Sequence, residues 1–240
     1  FYSSSYGHPS TIYDSGSVSG SDFAPQLQYE FGHIRGVMSN VTNTFSLGGN
    51  LNVTRESLGG AGVGNAALAF AGKGPASPYP ERTCTEEYNG IAWSNANAMN
   101  QSGYGHSHGT GIQNAALAKG RAWGSEGQKT EGYDGNTWSQ LANSADYGFY
   151  RSTTGTFNAA LSIGGRNTQT HTEHFNGTSW SEGGTLNDGR HLIASVGLEN
   201  AALAIGGSGP PSLNYNNTCT EHYNGTTWSV GGAKITGAYY

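Results

Sequence analysis

The chain has 240 residues, of which 39 are glycine and only 11% are charged, with a formal net charge of −5. With 4 lysines and no basic run, that balance excludes nucleic-acid recognition driven by phosphate neutralisation. No apolar stretch reaches the roughly 20 residues that a membrane-spanning helix needs. A glycine-rich, weakly charged chain could be disordered, but 14 Tyr, 8 Phe and 5 Trp argue otherwise, because many recur at regular spacing and burying them offsets chain entropy.

Residues 1–40 are rich in Ser, Gly and Tyr and fall outside any repeat; residues 41–240 form a repeating region. Its first marker is Asn43-Thr-Phe45-Ser, followed by Leu47-Gly-Gly. Four fuller copies follow: Thr85-Glu-Glu-Tyr-Asn-Gly-Ile-Ala-Trp93, Thr130-Glu-Gly-Tyr-Asp-Gly-Asn-Thr-Trp138, Thr172-Glu-His-Phe-Asn-Gly-Thr-Ser-Trp180 and Thr220-Glu-His-Tyr-Asn-Gly-Thr-Thr-Trp228. The anchor aromatics at 45, 93, 138, 180 and 228 are separated by 48, 45, 42 and 48 residues. Between them recurs Asn-Ala-Ala-Leu, at Asn65, Asn114, Asn158 and Asn200.

Each unit of about 45 residues reads as four strands. In the last copy, strand a covers His191 to Gly197 and strand b runs from Ala201 to Gly206. Strand c spans Thr218 to Tyr223, and strand d carries Trp228. Asn224-Gly225 is a hairpin signal, and a type I′ turn with φ > 0 at both residues is expected there. No 3.6-residue apolar stripe supports a helical alternative. A four-stranded sheet cannot bury both faces alone, so copies must stack, and radial stacking gives a propeller. The alanines of strand b suit the crowded region near the ring axis.

Strand b ending in Gly206-Gly207, then Tyr223 and Trp228, resembles the kelch repeat; Gly164-Gly165, Phe175 and Trp180 match it with Phe in place of Tyr. The likeness covers roughly residues 42–232. It implies an all-β, five-bladed kelch-like β-propeller with four antiparallel strands per blade, closed by N- and C-terminal segments sharing one blade. Residues 1–40 are then a closing segment, a docking arm, or both. The fuller wording, Thr-Glu-x-Tyr-Asn-Gly-x-x-Trp-Ser with Asn-Ala-Ala-Leu-Ala, is similar to repeats in structural proteins of tailed bacteriophages. That resemblance implies a virion protein of a tail fibre, spike or head-surface appendage. Its partners would be other virion proteins and a host-surface glycan or receptor, and a homo-oligomer is compatible with it.

In such a blade the a–b and c–d turns share one face, and the b–c and d–a connections share the other. The first set is nearly invariant among the copies, whereas the second varies in length and content. Variable loops on a fixed frame are where binding is expected, although unconstrained loops would also vary. The candidate binding residues there are Trp123, Tyr79, Arg82, Tyr215, Asn216, Arg166, Tyr104, His106, Arg151 and His191, with Tyr147 and Tyr150 nearby. Trp123 is the only Trp outside the anchor position; it either faces a ligand or folds back over the blade edge. Aromatic faces pack on sugar rings, and Tyr, Trp and Arg dominate interface hot spots.

Other chemistries find little support. His106-Ser-His108 has a metal-pair spacing but no companion ligands, so neither a metal nor a cofactor is expected. His174 and His222 share a repeat position with Glu87 and Gly132, which reads as a solvated position. Cys84 and Cys219 are equivalent residues of copies not adjacent in a five-membered ring, and two free thiols are expected. No nucleophile elbow, metalloprotease motif or phosphate loop occurs. The Asn-Gly-x-x-Trp turn lacks the Asp-x-Gly spacing of the sialidase Asp box, and no Tyr/His/Cys set suits a kelch-type copper oxidase. A carbohydrate-active enzyme would need a carboxylate pair at the channel mouth. The expected role is therefore non-enzymatic.

Overall fold

The computed structural model describes residues 48–75, 80–102, 108–120, 127–146, 149–166, 169–209 and 218–233. The chain divides into Phe1–Leu47 and Gly48–Tyr240, and every described residue lies in the second unit. The described residues form four antiparallel sheets with no α-helix. The first contains β1 (Gly59–Val63), β2 (Ala66–Phe70), β3 (Thr85–Tyr88) and β4 (Trp93–Ala96). The second contains β5 (His108–Ile112), β6 (Ala115–Lys119), β7 (Thr130–Tyr133) and β8 (Trp138–Gln140). The third contains β9 (Ser152–Thr156), β10 (Ala159–Ile163), β11 (Thr172–Phe175) and β12 (Trp180–Glu182). The fourth contains β13 (Ala194–Leu198), β14 (Ala201–Ile205), β15 (Thr220–Tyr223) and β16 (Trp228–Val230). Each sheet meanders in chain order, and the first strands β1, β5, β9 and β13 lie side by side in succession. This is the propeller-type architecture that the repeats imply. The contributions expected from Phe45, residues 1–40 and Ile235–Tyr240 to a shared blade lie outside the described residues.

The turns explain why two short motifs recur. Tyr223 pairs with Trp228, leaving a four-residue loop, Asn224 to Thr227. Only Gly225 has positive φ, at 93°. The expected two-residue type I′ turn is thus not formed. Instead the Asn224 side-chain oxygen accepts the N–H groups of Thr226 and Thr227 at 2.9 and 2.8 Å, an Asx turn that holds the loop without left-handed strain at Asn. Asp134, in the second blade, does the same with Asn136 and Thr137, and those N–H donors hold its carboxyl below the ordinary range. A Cβ on Gly225 would lie 3.3 Å from the Asn200 Cβ, so the Asn-Ala-Ala-Leu turn packs directly beneath the Asn-Gly loop.

The core lies between the blades. Ala116, Ala118, Ala160 and Ala204 of the second strands have no exposure, but it is the first strands, and not these, that lie against one another from blade to blade. Phe70 packs edge-on against Trp138 of the following blade, their centroids 5.0 Å apart. Ile163, Leu186 and Ile193 form a second cluster with Tyr223 and Trp228. Three of the four anchor Trp residues also reach back to the preceding blade. Trp138 Nε1 donates to Thr85 Oγ1 at 2.9 Å, Trp180 to Thr130 at 3.0 Å and Trp228 to Thr172 at 3.0 Å. A buried indole N–H left without a partner would cost about 1–3 kcal/mol, so Thr85, Thr130 and Thr172 are each fixed by the next blade's Trp.

The Glu of that pair is buried and takes up the incoming connection. Glu221 accepts from the Asn187 backbone N–H at 2.8 Å and pairs with Arg190 at 2.8 Å. The Asn187 side chain also bridges to the Trp228 carbonyl at 3.0 Å. Glu86 repeats this with Asn52 and Arg55. Burying the carboxylate is tolerable because its lone pairs are filled by backbone donors and a guanidinium. Cys84 and Cys219 are free thiols, as expected.

Candidate binding face

The b–c and d–a connections are braced where they are described. In the first blade, Glu56 and Lys73 exchange two backbone bonds of 3.0 Å, and Arg82 N donates to the Gly72 carbonyl at 2.9 Å. At the junction of the third and fourth blades, Gly165 N bonds the Arg190 carbonyl at 3.1 Å and Arg166 N bonds that of Phe149 at 2.9 Å. His191 and Ser208 exchange bonds of 2.9 and 2.8 Å. These connections enter strand a through a left-handed residue at the same point in three blades: Ser57, Tyr150 and Leu192, with φ of 55°, 60° and 54°. Its recurrence marks the strain as architecture and not as a device of one site. It also starts strand a at Ala194 in the fourth blade, three residues later than the sequence suggests.

Of the candidate residues, Trp123, Tyr79, Tyr215, Asn216, Tyr104 and His106, with Tyr147, lie outside the described residues. Arg82 is half-buried in the first blade. Arg166 and His191 come together with Tyr150. The Arg166 guanidinium sits 5.7 Å over the Phe149 ring, Phe149 meets Tyr150 edge-on at 4.7 Å, and Tyr150 stacks on His191 at 6.1 Å. Burial, and then the nearby Arg166 charge, hold His191 below its ordinary pKa of 6.5. Phe149, which supports the group, was not singled out by sequence; the run Phe149-Tyr150-Arg151 was its only signal.

Arg151 departs from expectation. It is 2% exposed, and its guanidinium pairs with Asp146 and lies 3.7 Å from Glu173, with Nε donating to Ser162 at 2.9 Å. It is a framework residue with no free donor face for a ligand. His174 departs as well. It is half-buried, with Nδ1 bonded to Glu199 and Nε2 2.7 Å from the Tyr223 hydroxyl of the next blade. His222 is exposed, as expected. Among the described residues no group of three His, Cys, Asp or Glu is arranged to hold a metal ion.

No family model matches the chain. No curated protein matches it either. Solved structures do. The one titled "Structure of YjhT" aligns with a TM-score of 0.65 over 81% of this chain and 70% of that chain, at 16% identity. YjhT is a kelch-like β-propeller-type protein, so this likeness, at that identity, is one of fold. Fold, repeat and neighbour together define the class: a β-propeller-type fold of four-stranded antiparallel sheets.

Proposed function

We propose that the chain is a non-enzymatic virion structural protein, part of a tail fibre, spike or head-surface appendage, whose variable-loop face binds a host-surface glycan or protein. In this reading the propeller has five blades, the fifth built from the N- and C-terminal segments. The observation that carries the binding role is the division between the two faces. The a–b and c–d turns are locked to each other in every described blade, while sequence variation is confined to the braced b–c and d–a connections. The virion setting rests on the likeness of the repeat wording to phage structural proteins. Host-cell and glycan-array binding by the wild type, Trp123→Ala and Tyr215→Ala would test it. Loss of binding in either variant is expected; unchanged binding in both removes the site assignment.

A second reading is favoured by residues 1–40 standing outside the repeat. Here the propeller is an assembly module that docks on another virion protein through residues 1–40. Normal incorporation into particles after deletion of residues 1–25 would count against it.

A further inference from the structure

On the loop face at the junction of the third and fourth blades, Arg166 is exposed and has no carboxylate partner among the described residues. Its guanidinium lies over the Phe149 ring, which restricts it and leaves its donor edge free. Beside it, the Tyr150 and His191 rings stack as a pair, their planes inclined by 29° and their centroids 6.1 Å apart. His191 Nδ1 is a buried nitrogen with no hydrogen-bond partner. Two carboxylates near Arg166 in sequence are already committed: Asp146 pairs with Arg151, and Glu173 with Lys119 and Arg151. Among the described residues, a chain with a net charge of −5 thus presents a guanidinium without a carboxylate partner next to a stacked aromatic pair.

We infer that this cluster is a subsite for a sugar ring bearing an anionic group, with Arg166 taking the anion and Tyr150 and His191 taking the ring face. The inference rests on the loop-face reading above and names its ligand chemistry. Arg presents paired N–H donors that match a carboxylate or phosphate bidentately. The apolar face of a pyranose packs on aromatic rings. Binding involves no covalent step. The anion can be the carboxylate of a uronic acid or the phosphate of a phosphorylated sugar.

The test is a titration of the full chain, following the His191 ring resonances by NMR, with glucuronate, glucose 6-phosphate, glucose and inorganic phosphate. Glucuronate or glucose 6-phosphate should shift His191, and the tighter of the two identifies the source of the anion. Glucose and inorganic phosphate should each bind at least about tenfold more weakly, and Arg166→Gln should weaken the charged sugar by about tenfold. Arg166→Lys should lose part of that affinity because it keeps the charge but not the fork. Arg166 is exposed, so both variants should keep the wild-type melting temperature. Equal binding of glucose, equal binding of inorganic phosphate, an unchanged Kd in Arg166→Gln, or no response to any probe would each overturn the inference. If array glycans or host cells still bind the wild type and Arg166→Gln equally, only this subsite falls. If the wild type binds neither, the loop-face reading falls with it.

Discussion

The junction of the second and third blades and that of the third and fourth meet one packing problem with opposite chemistry. At the later junction, Tyr223 places its hydroxyl 2.7 Å from His174 Nε2, and the Gly184 N–H points at the same oxygen from 3.3 Å. At the earlier one the aromatic is Phe175, and its counterpart across the blades is Gly132. That space is filled by Phe157 and Leu141, which would lie 2.7 and 2.9 Å from any Cβ at Gly132. The first and second blades use the polar solution again, Tyr133 donating to Glu87 at 2.7 Å. Polar residues therefore face polar ones, and apolar face apolar, within a single chain. Position 87/132/174 is an inter-blade coupling site, which is why it tolerates Glu, Gly and His without being merely solvated.

Charge separates the same two junctions. Glu221 is satisfied by Arg190, four residues before its strand, and by Asn187. In the third blade the arginine is Arg151, directly before β9, where it also serves Asp146. Glu173 accordingly takes a second cation, Lys119 at 3.4 Å, from the second blade. Lys119 stands where the other blades have Phe70, Ile163 and Ile205, and its ammonium lies 5.0 Å from the Trp180 ring. Burial, and then Arg151, lower its pKa from 10.5 to about 7.

The largest expected effect follows from that lysine. Below pH 7 both folded and unfolded chains hold the proton, and the native state bears the full cost of a buried ammonium. Between about 7 and 10.5 the folded chain has released a proton that the unfolded chain keeps, so stability rises with pH. Lys119→Met removes this dependence while Arg151 still covers Glu173. The variant should exceed the wild type most below pH 7. The margin should narrow by up to about 1.4 kcal/mol per pH unit as pH rises above 7, read from urea unfolding of both proteins at matched pH. A constant difference from pH 6 to 9 would mean that Lys119 stays charged throughout.

Next in size is Phe175→Tyr. Phe175 has no exposure, and its counterpart Gly132 carries no side chain to accept a hydroxyl. A buried hydroxyl without a partner costs about 1–3 kcal/mol. Adding Gly132→Glu should not rescue it, because the new Cβ would meet Phe157 and Leu141 before its carboxylate could reach the hydroxyl. Rescue by the double variant, seen as a coupling energy in denaturant unfolding, would show that the apolar junction is not locked.

The repeat, the strand order and the free cysteines were legible in the sequence because they depend on local periodicity. The inter-blade bonds were not, for a definite reason. Thr130 and Trp138 stand eight residues apart in one unit, yet Trp138 bonds Thr85 of the preceding unit and Thr130 receives Trp180 of the following one. Alignment of the copies shows that both residues recur but not which copy pairs with which. The roles of Arg151 and His174 were hidden in the same way, since each is set by partners on neighbouring strands and loops. The Asn-Gly turn misled for another reason. The dipeptide suits a two-residue turn, but the Tyr–Trp pairing fixes a four-residue loop in which Asn caps and only Gly needs positive φ.

The smallest expected effect mirrors Phe175→Tyr. Tyr223→Phe deletes the hydroxyl from the polar junction and leaves His174 Nε2 and the Gly184 N–H without it. His174 keeps Glu199 on its other nitrogen, and its side chain is 16% exposed, so water can reach the vacated position. The ring itself stays packed on Trp228 at 4.8 Å. A net loss of about 0.5–1.5 kcal/mol follows, the ordinary contribution of one hydrogen bond. Deleting a hydroxyl where water can substitute should thus cost less than inserting one where nothing can accept it. If Tyr223→Phe proves the more damaging of the two in denaturant unfolding, the polar junction is held by the His174–Tyr223 bond itself, and packing is the lesser force there.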